Sequence, residues 1–264
     1  MRDFGKIIVG IREKKPLVYN ITNLVVINIS ANALLSIGAS PIMSFEKQEA
    51  ADLVKISSAL LINMGTPTQD TIETMIIAAK AANKIGIPII FDPVGVGASS
   101  FRNDIANKIL SEAKVDILKA NASEVANLSG LKVQTKGVES CETIENITDI
   151  TKNLAKELGC IVCTTGKTDV ISDGNEVYLC ENGHEALTKI TGSGCMLGSI
   201  MGATAGVCGK DYLIAALCAC LIMGISGEIA ASKTNMLGSF QVEFFNALSI
   251  FEPETFNSAR YKKL

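Results

Sequence analysis

Histidine is nearly absent: His184 is the only one in 264 residues. That excludes a His-rich metal centre. A Ser-His-Asp triad would hang on one imidazole, which follows Gly183 in what reads as a turn. Charge is sparse too, with 19% charged residues and a formal net charge of −3. No dense Lys/Arg cluster offsets that balance, so the electrostatic footprint of a nucleic-acid surface is missing. The opening residues Met1-Arg-Asp-Phe-Gly-Lys6 hold a charge pair and no long apolar stretch of secretory type. The apolar uncharged run Tyr212 to Gly227 is shorter than the ~20 apolar residues of a membrane span. The expectation is a soluble cytoplasmic protein with neither nucleic-acid nor membrane partners.

What the chain does have is apolar mass, 48% of its residues. That is enough for one large α/β core over residues 1–264, with surface to spare for a subunit interface. The eight cysteines do not indicate a disulfide framework, because disulfide density compensates for small cores. Cys160-Ile-Val-Cys163 has redox spacing but lies in an apolar run that reads as a strand, where the two thiols face opposite ways. Cys218-Ala-Cys220 fails similarly on a helix.

Strands are expected over 15–19, 39–43, 60–64, 87–92, 115–119 and 160–164. Helices alternate with them over 25–37, 46–57, 66–85, 102–113, 123–128 and 144–158. Thr66 is the expected N-cap of the 66–85 helix, with Pro67 first and Gln69 completing a capping box. Residues 131–141 show no clear pattern. Asp173-Gly-Asn175 between alternating residues marks a hairpin over 170–180, and beyond 190 the chain reads as nearly all helix. Alternation of this kind implies a parallel sheet covered on both faces. Ligands of such sheets bind outside the carboxyl ends of the strands, so the polar residues at strand ends carry the interest.

Asp92-Pro-Val-Gly-Val-Gly97 follows the cleanest strand. Its carboxylate could hold a metal or the metal's waters, or merely start a turn before Pro93. Gly95-x-Gly97-x-x-Ser100 is a weak dinucleotide fingerprint, because Pro93 interrupts the passage from strand to loop. Asn121-Ala-Ser-Glu124 fits a capping box. Glu124 could equally reach a hydrated magnesium, which takes one or two carboxylates and leaves the rest to water and phosphate. Gly166-Lys167-Thr168 is not a P-loop, since Ile161 stands where the first glycine belongs and a hairpin follows. Thr164-Thr165-Gly166 remains a polar ledge, suited to a nucleotide or to a plain turn. Thr191-Gly-Ser-Gly-Cys195 opens an uncharged run to Val207 that reads as a buried helix. Free backbone N–H groups and the helix dipole suit an anion there, and Cys195 would stand at the mouth, where a thiol pKa tends to fall. A glycine turn followed by a core cysteine explains the same five residues. Gly198, Gly202 and Gly206 recur every four residues and suit close helix-on-sheet packing.

Five segments, Asn20-Ile-Thr-Asn23, Gly38-Ala-Ser-Pro-Ile-Met43, Asp92-Pro-Val-Gly-Val-Gly97, Asn121-Ala-Ser-Glu124 and Thr191-Gly-Ser-Gly-Cys195, occur in the order and spacing of one family. From about residue 15 to 245 the sequence resembles the hydroxyethylthiazole kinase family of thiamine salvage. The resemblance implies a ribokinase-like α/β fold, with a central, mostly parallel sheet and helices on both faces. It implies phosphorylation of the hydroxyl of 4-methyl-5-(2-hydroxyethyl)thiazole by ATP with Mg2+, in a homotrimer with active sites at subunit boundaries. By position, Cys195 matches the residue that takes the alcohol proton, where most ribokinase-like enzymes carry Asp. Gly192, Ser193 and Gly194 match an anion hole, and Asp92 and Glu124 the magnesium region. Lys119, Thr165 and Asn121 match the ATP site, and Met43, Asn23 and Gly192 the thiazole pocket. Two departures stand out. Lys119 occupies a position where Arg is usual, keeping the charge but losing the bidentate fork, and Tyr19 replaces a frequent His. The nearest alternative is another ribokinase-like small-alcohol kinase, of hydroxymethylpyrimidine or pyridoxal type. Further off stand an oxidoreductase built on Gly95-x-Gly97 and a non-catalytic nucleotide sensor.

Overall fold

The computed structural model describes residues 4–130 and 144–264. The chain opens with α1 (Gly5–Lys14), β1 (Leu17–Ile21), α2 (Ile27–Ile37), β2 (Ser40–Met43) and α3 (Ala50–Ile56). It continues through β3 (Ala59–Asn63), α4 (Gln69–Ile85), β4 (Ile89–Asp92), α5 (Ser100–Glu112), β5 (Ile117–Asn121) and α6 (Ala122–Leu128). After α7 (Ile144–Leu158) come β6 (Ile161–Thr165), β7 (Asp169–Ser172) and β8 (Val177–Cys180), then α8 (Ser193–Ala205), α9 (Tyr212–Lys233), α10 (Leu237–Ser249) and β9 (Tyr261–Lys263). Residues 131–141, patternless in the sequence, lie outside the described residues.

The strands form one sheet in the order β2-β1-β3-β4-β5-β6-β7-β8-β9. The pairs from β2 to β6 are parallel, and β6 to β9 are antiparallel. β3 and β4 are buried along their whole length, which is why they read as continuous apolar runs rather than alternating ones. One face carries α1, α2, α8, α9 and α10, and the other carries α3, α4, α5 and α7. Cys163 belongs to the first core and Cys160 to the second, so the two thiols do sit on opposite faces. Close seating of α8 is a glycine effect: a Cβ on Gly202 would come within 2.6 Å of Val18 Cγ1.

Several boundaries differ from the sequence expectation, each for a local reason. The cap of α4 is Thr68, not Thr66, in a reciprocal box with Thr71. The 46–57 segment is helical only over α3. Before it, Ser44 Oγ accepts from the Glu46 N–H at 3.3 Å and Glu46 Oε1 from the Gln48 N–H at 3.0 Å, bonds that compete with helix formation. β1 starts two residues later than expected because Lys15 closes α1 in the left-handed region, φ 46°. Asp116 spends its carboxylate on the Ile89 N–H at 2.9 Å, and β5 begins after it. α1 and the three-residue β9 escaped the sequence pattern altogether. α9, 22 residues long, runs past Gly227 to Lys233 and is the one described helix long and apolar enough to cross a membrane, but 89% of its most apolar stretch is buried inside the protein.

Strand parity sets up the edge. Leu61, Ile90, Ile117 and Cys163 all belong to the core beneath α8 and α9. With a side-chain period of two, the residues two further on, Asn63, Asp92, Lys119 and Thr165, share that face at the carboxyl end. β1 lies between β2 and β3, so the winding direction changes there, and such a switch point opens a crevice between strand ends.

Candidate active site

Cys195 occupies the first turn of α8, directly over this crevice. Asn63 Nδ2 donates to its Sγ at 3.2 Å and Asn23 Nδ2 donates at 3.4 Å. Asn63 also donates to Asp92 Oδ2 at 2.8 Å, and its own carbonyl accepts from Asn23 at 2.9 Å. Lys119 Nζ lies 2.9 Å from the same Asp92 oxygen and donates to the Gly194 carbonyl at 3.1 Å. All five side chains form one connected, mostly buried network. Asn63 is the member that sequence reasoning missed. Its signal was available: a lone polar residue closing an otherwise apolar strand, in register with Asp92.

The electrostatics follow from burial. Desolvation pushes the Cys195 thiol above the ordinary cysteine value and Asp92 pushes it further, outweighing Lys119 and the two amides. The thiol thus stands above its ordinary value despite its place at a helix mouth, because burial strips hydration from the thiolate. Burial likewise raises Asp92 to about 6 against the pull of Lys119. Burial works against the Lys119 ammonium, but Asp92, Cys195 and Glu124 together hold it protonated.

The glycine turn does open α8. Gly192 is its N-cap at φ 84°, and no side chain caps the helix. A Cβ there would come within 2.5 Å of Val26, so both backbone conformation and space demand glycine. The Ser193 and Gly194 backbone at this end fits an anion. Asn121 caps α6 in a full box with Glu124. Glu124 Oε2 accepts the Asn121 N–H at 2.9 Å, and Oε1 accepts the Gly95 N–H at 2.8 Å. The cap thus engages one carboxylate oxygen and the Gly95 N–H the other. Asp92 differs: its Oδ1 is buried with no hydrogen-bond partner, an acceptor that suits a cation. Among the described residues, no three His, Cys, Asp or Glu side chains cluster as a metal cage. A cation held by one carboxylate, water and phosphate needs no such cage.

Beyond α8 the edge widens into a cleft of about 750 Å³ lined by Thr165, Gly166, Lys167, Asn182, Gly183, His184, Ser193 and Gly194 among others. Thr165 ends β6, and His184 sits in a turn, its Nδ1 accepting from the Ala186 N–H at 3.2 Å. Met43 ends β2, opposite Asn20 in the ladder, half-buried and on the far side of β1 from Asn63. The structure therefore gathers Asn23, Asp92, Lys119, Gly194 and Cys195 into one network. Thr165, Ser193 and Gly194 share the cleft wall, while Met43, Asn121 and Glu124 lie around the margin.

A parallel sheet with this edge and this helix-mouth cradle is the architecture of a ribokinase-like α/β protein. The superposition on a ribokinase-like superfamily protein from Enterococcus faecalis agrees, with TM-score 0.65 at 13% identity, covering 90% of this chain and 87% of that one. A sequence model of the hydroxyethylthiazole kinase family matches residues 8–254. A hydroxyethylthiazole kinase of Clostridium beijerinckii is 49% identical over 253 residues, 93% of this chain and 91% of that protein. The structure of a hydroxyethylthiazole kinase protein from Pyrococcus horikoshii superposes with TM-score 0.92 at 36% identity, covering 100% of both chains. The chain belongs to the hydroxyethylthiazole kinase family and is an enzyme.

Proposed function

We propose that the protein is a single-domain, cytoplasmic kinase of thiamine salvage that transfers the γ-phosphoryl of ATP to the hydroxyl of 4-methyl-5-(2-hydroxyethyl)thiazole. The observation that carries this reading is Cys195 Sγ held by two amides beside the Asp92–Lys119 pair, at a helix end that no side chain caps. Phosphoryl transfer depends mainly on positioning and on charge stabilisation. The triphosphate lies along the cleft by Thr165 and Asn121, and its terminal phosphate meets the backbone at Gly192, Ser193 and Gly194. Lys119 adds a fixed positive charge beside that point. The thiazole packs against Met43, Asn23 and Gly192, which turns its hydroxyl toward Cys195. Cys195 accepts the alcohol proton as the new bond forms, a contribution of ~10²–10⁴-fold for a base of this kind. Asp92 would hold magnesium through its free oxygen, with the Glu124 charge behind it, and the ion supplies neutralisation of phosphate charge.

The assembly in this reading is a homotrimer with each site completed at a subunit boundary. Leu24 and Val25, directly after Asn23, are 70% and 65% exposed, an apolar rim suited to cover by a second copy. ATP turnover measured with and without the thiazole alcohol, and with and without magnesium, tests the proposal. Turnover should require both. Turnover that instead follows a pyrimidine or pyridine methanol would overturn the substrate assignment.

A further inference from the structure

The wall of the nucleotide cleft formed by residues 181–188 is a loop leading into a 3-10 turn, not a strand of the parallel sheet. Its shape depends on what stands behind it, and that is α9. Gly224 admits the loop backbone, since a Cβ there would come within 2.4 Å of the Asn182 carbonyl oxygen. Gly227, one turn along, admits Leu187 in the same way, at 2.7 Å. One further residue on, Glu228 grips the loop chemically. Its Oε1 accepts the Gly183 N–H at 2.7 Å, and its Oε2 accepts from Asn182 Nδ2 at 3.1 Å. Arg260, just before β9, closes the clasp from outside. Its guanidinium donates to Glu228 Oε1 at 2.6 Å and to the Glu181 carbonyl at 3.0 Å. The Arg260 N–H donates to Asn182 Oδ1 at 2.6 Å, and Asn182 Nδ2 donates to the Ser258 carbonyl at 3.0 Å. Asn182 is thereby held on every side and buried, although the neighbouring Gly183 and His184 are exposed.

We infer that Glu228 and Arg260 are positioning residues for the nucleotide, setting the cleft wall through Asn182 and Gly183 without touching ATP or the reacting atoms. The inference rests on the reading that ATP occupies this cleft. It makes the C-terminal segment a determinant of nucleotide affinity, and it separates that affinity from turnover, because the clasp shares no bond with the Cys195 network. A folding role alone would give a different signature: loss of active molecules lowers apparent kcat and leaves KM unchanged.

The test compares Glu228→Gln, Arg260→Met and Arg260→Lys by steady-state kinetics in both substrates and by titration with a fluorescent ATP analogue. Loss of one or two such hydrogen bonds should raise the KM for ATP and the analogue Kd roughly three- to tenfold in the first two variants. kcat and the KM for the alcohol should stay near wild type, and Arg260→Lys should recover part of the loss. Unchanged ATP affinity, or a fall in kcat with KM intact, overturns the inference. Should Glu228→Gln not fold, Arg260→Met decides, because its side chain is half exposed and outside the core. Thr165→Trp places bulk in the cleft and separates the two levels. If it leaves ATP affinity intact, the nucleotide does not lie in the cleft. If it abolishes ATP binding while the clasp variants do nothing, the clasp alone fails.

Discussion

The two ends of the same sheet edge are built on different principles. At the Cys195 end, side chains come from the tips of parallel strands. Asn63, Asp92 and Lys119 are at most 5% exposed, and each is bonded to the next. At the end we assign to the nucleotide, much of the lining comes from the turns around the antiparallel strands and is exposed, and that wall is held from behind by α9 rather than by its own members. The contrast teaches a division of labour. Where charge develops during reaction, donors and charges must be fixed in advance and shielded from water. Where a large, highly charged ligand must enter and leave, an open cleft of adjustable wall serves better. The cost of the first arrangement is visible in the raised Asp92 and Cys195 values, since buried charge is destabilising.

The largest expected effect would split the two ends cleanly. Cys195→Ala should lower kcat by ~10²–10⁴-fold with ATP affinity preserved, read from steady-state kinetics and nucleotide titration. Unchanged turnover would remove Cys195 from the chemistry. A second test sharpens the contrast through pH. A thiol raised above its ordinary value is mostly protonated at neutrality, so an acceptor of this kind gains activity as pH rises. Below the thiol pKa, kcat should climb about tenfold per pH unit while the KM for ATP stays level. A flat profile would mean that the proton leaves by another route. The smallest effect belongs to the open end. Thr165→Val removes one hydroxyl from the ledge and should raise the KM for ATP by roughly three- to tenfold with kcat unchanged. If kcat falls instead, the two ends are not separable.

Much of the scaffold was legible because its signals are local. Gly38 and Gly86 end α2 and α4 in the left-handed conformation, and the Asp173-Gly-Asn175 turn joins β7 to β8 as its residues demand. Asn121 and Glu124 illustrate the limit. Capping and magnesium readings fitted the same spacing, and only the position of Gly95 shows that both Glu124 oxygens are already engaged. Asn63 was passed over for a related reason, although its place at the tip of an apolar strand was legible. Its importance lies in bonds to residues 23, 92 and 195, none of them near in sequence. β9 was missed because a three-residue strand carries no period, and its partner β8 lies some eighty residues earlier.

By itself the sequence determined the elements and their sidedness: apolar runs of strand length, glycines at turns, and a polar residue at the tip of each strand on one parity. Those properties depend on neighbours along the chain. Tertiary structure alone decided which tips stand side by side. Placing β1 between β2 and β3 brought Asn23 to Asn63, and seating α8 through Gly202 lowered Cys195 onto both. The thiol's burial, and with it the direction of its pKa, followed from that packing. Proton affinity at a buried site is set by the hydration lost and by charges contributed from distant strands, and neither is encoded in the five residues around Cys195.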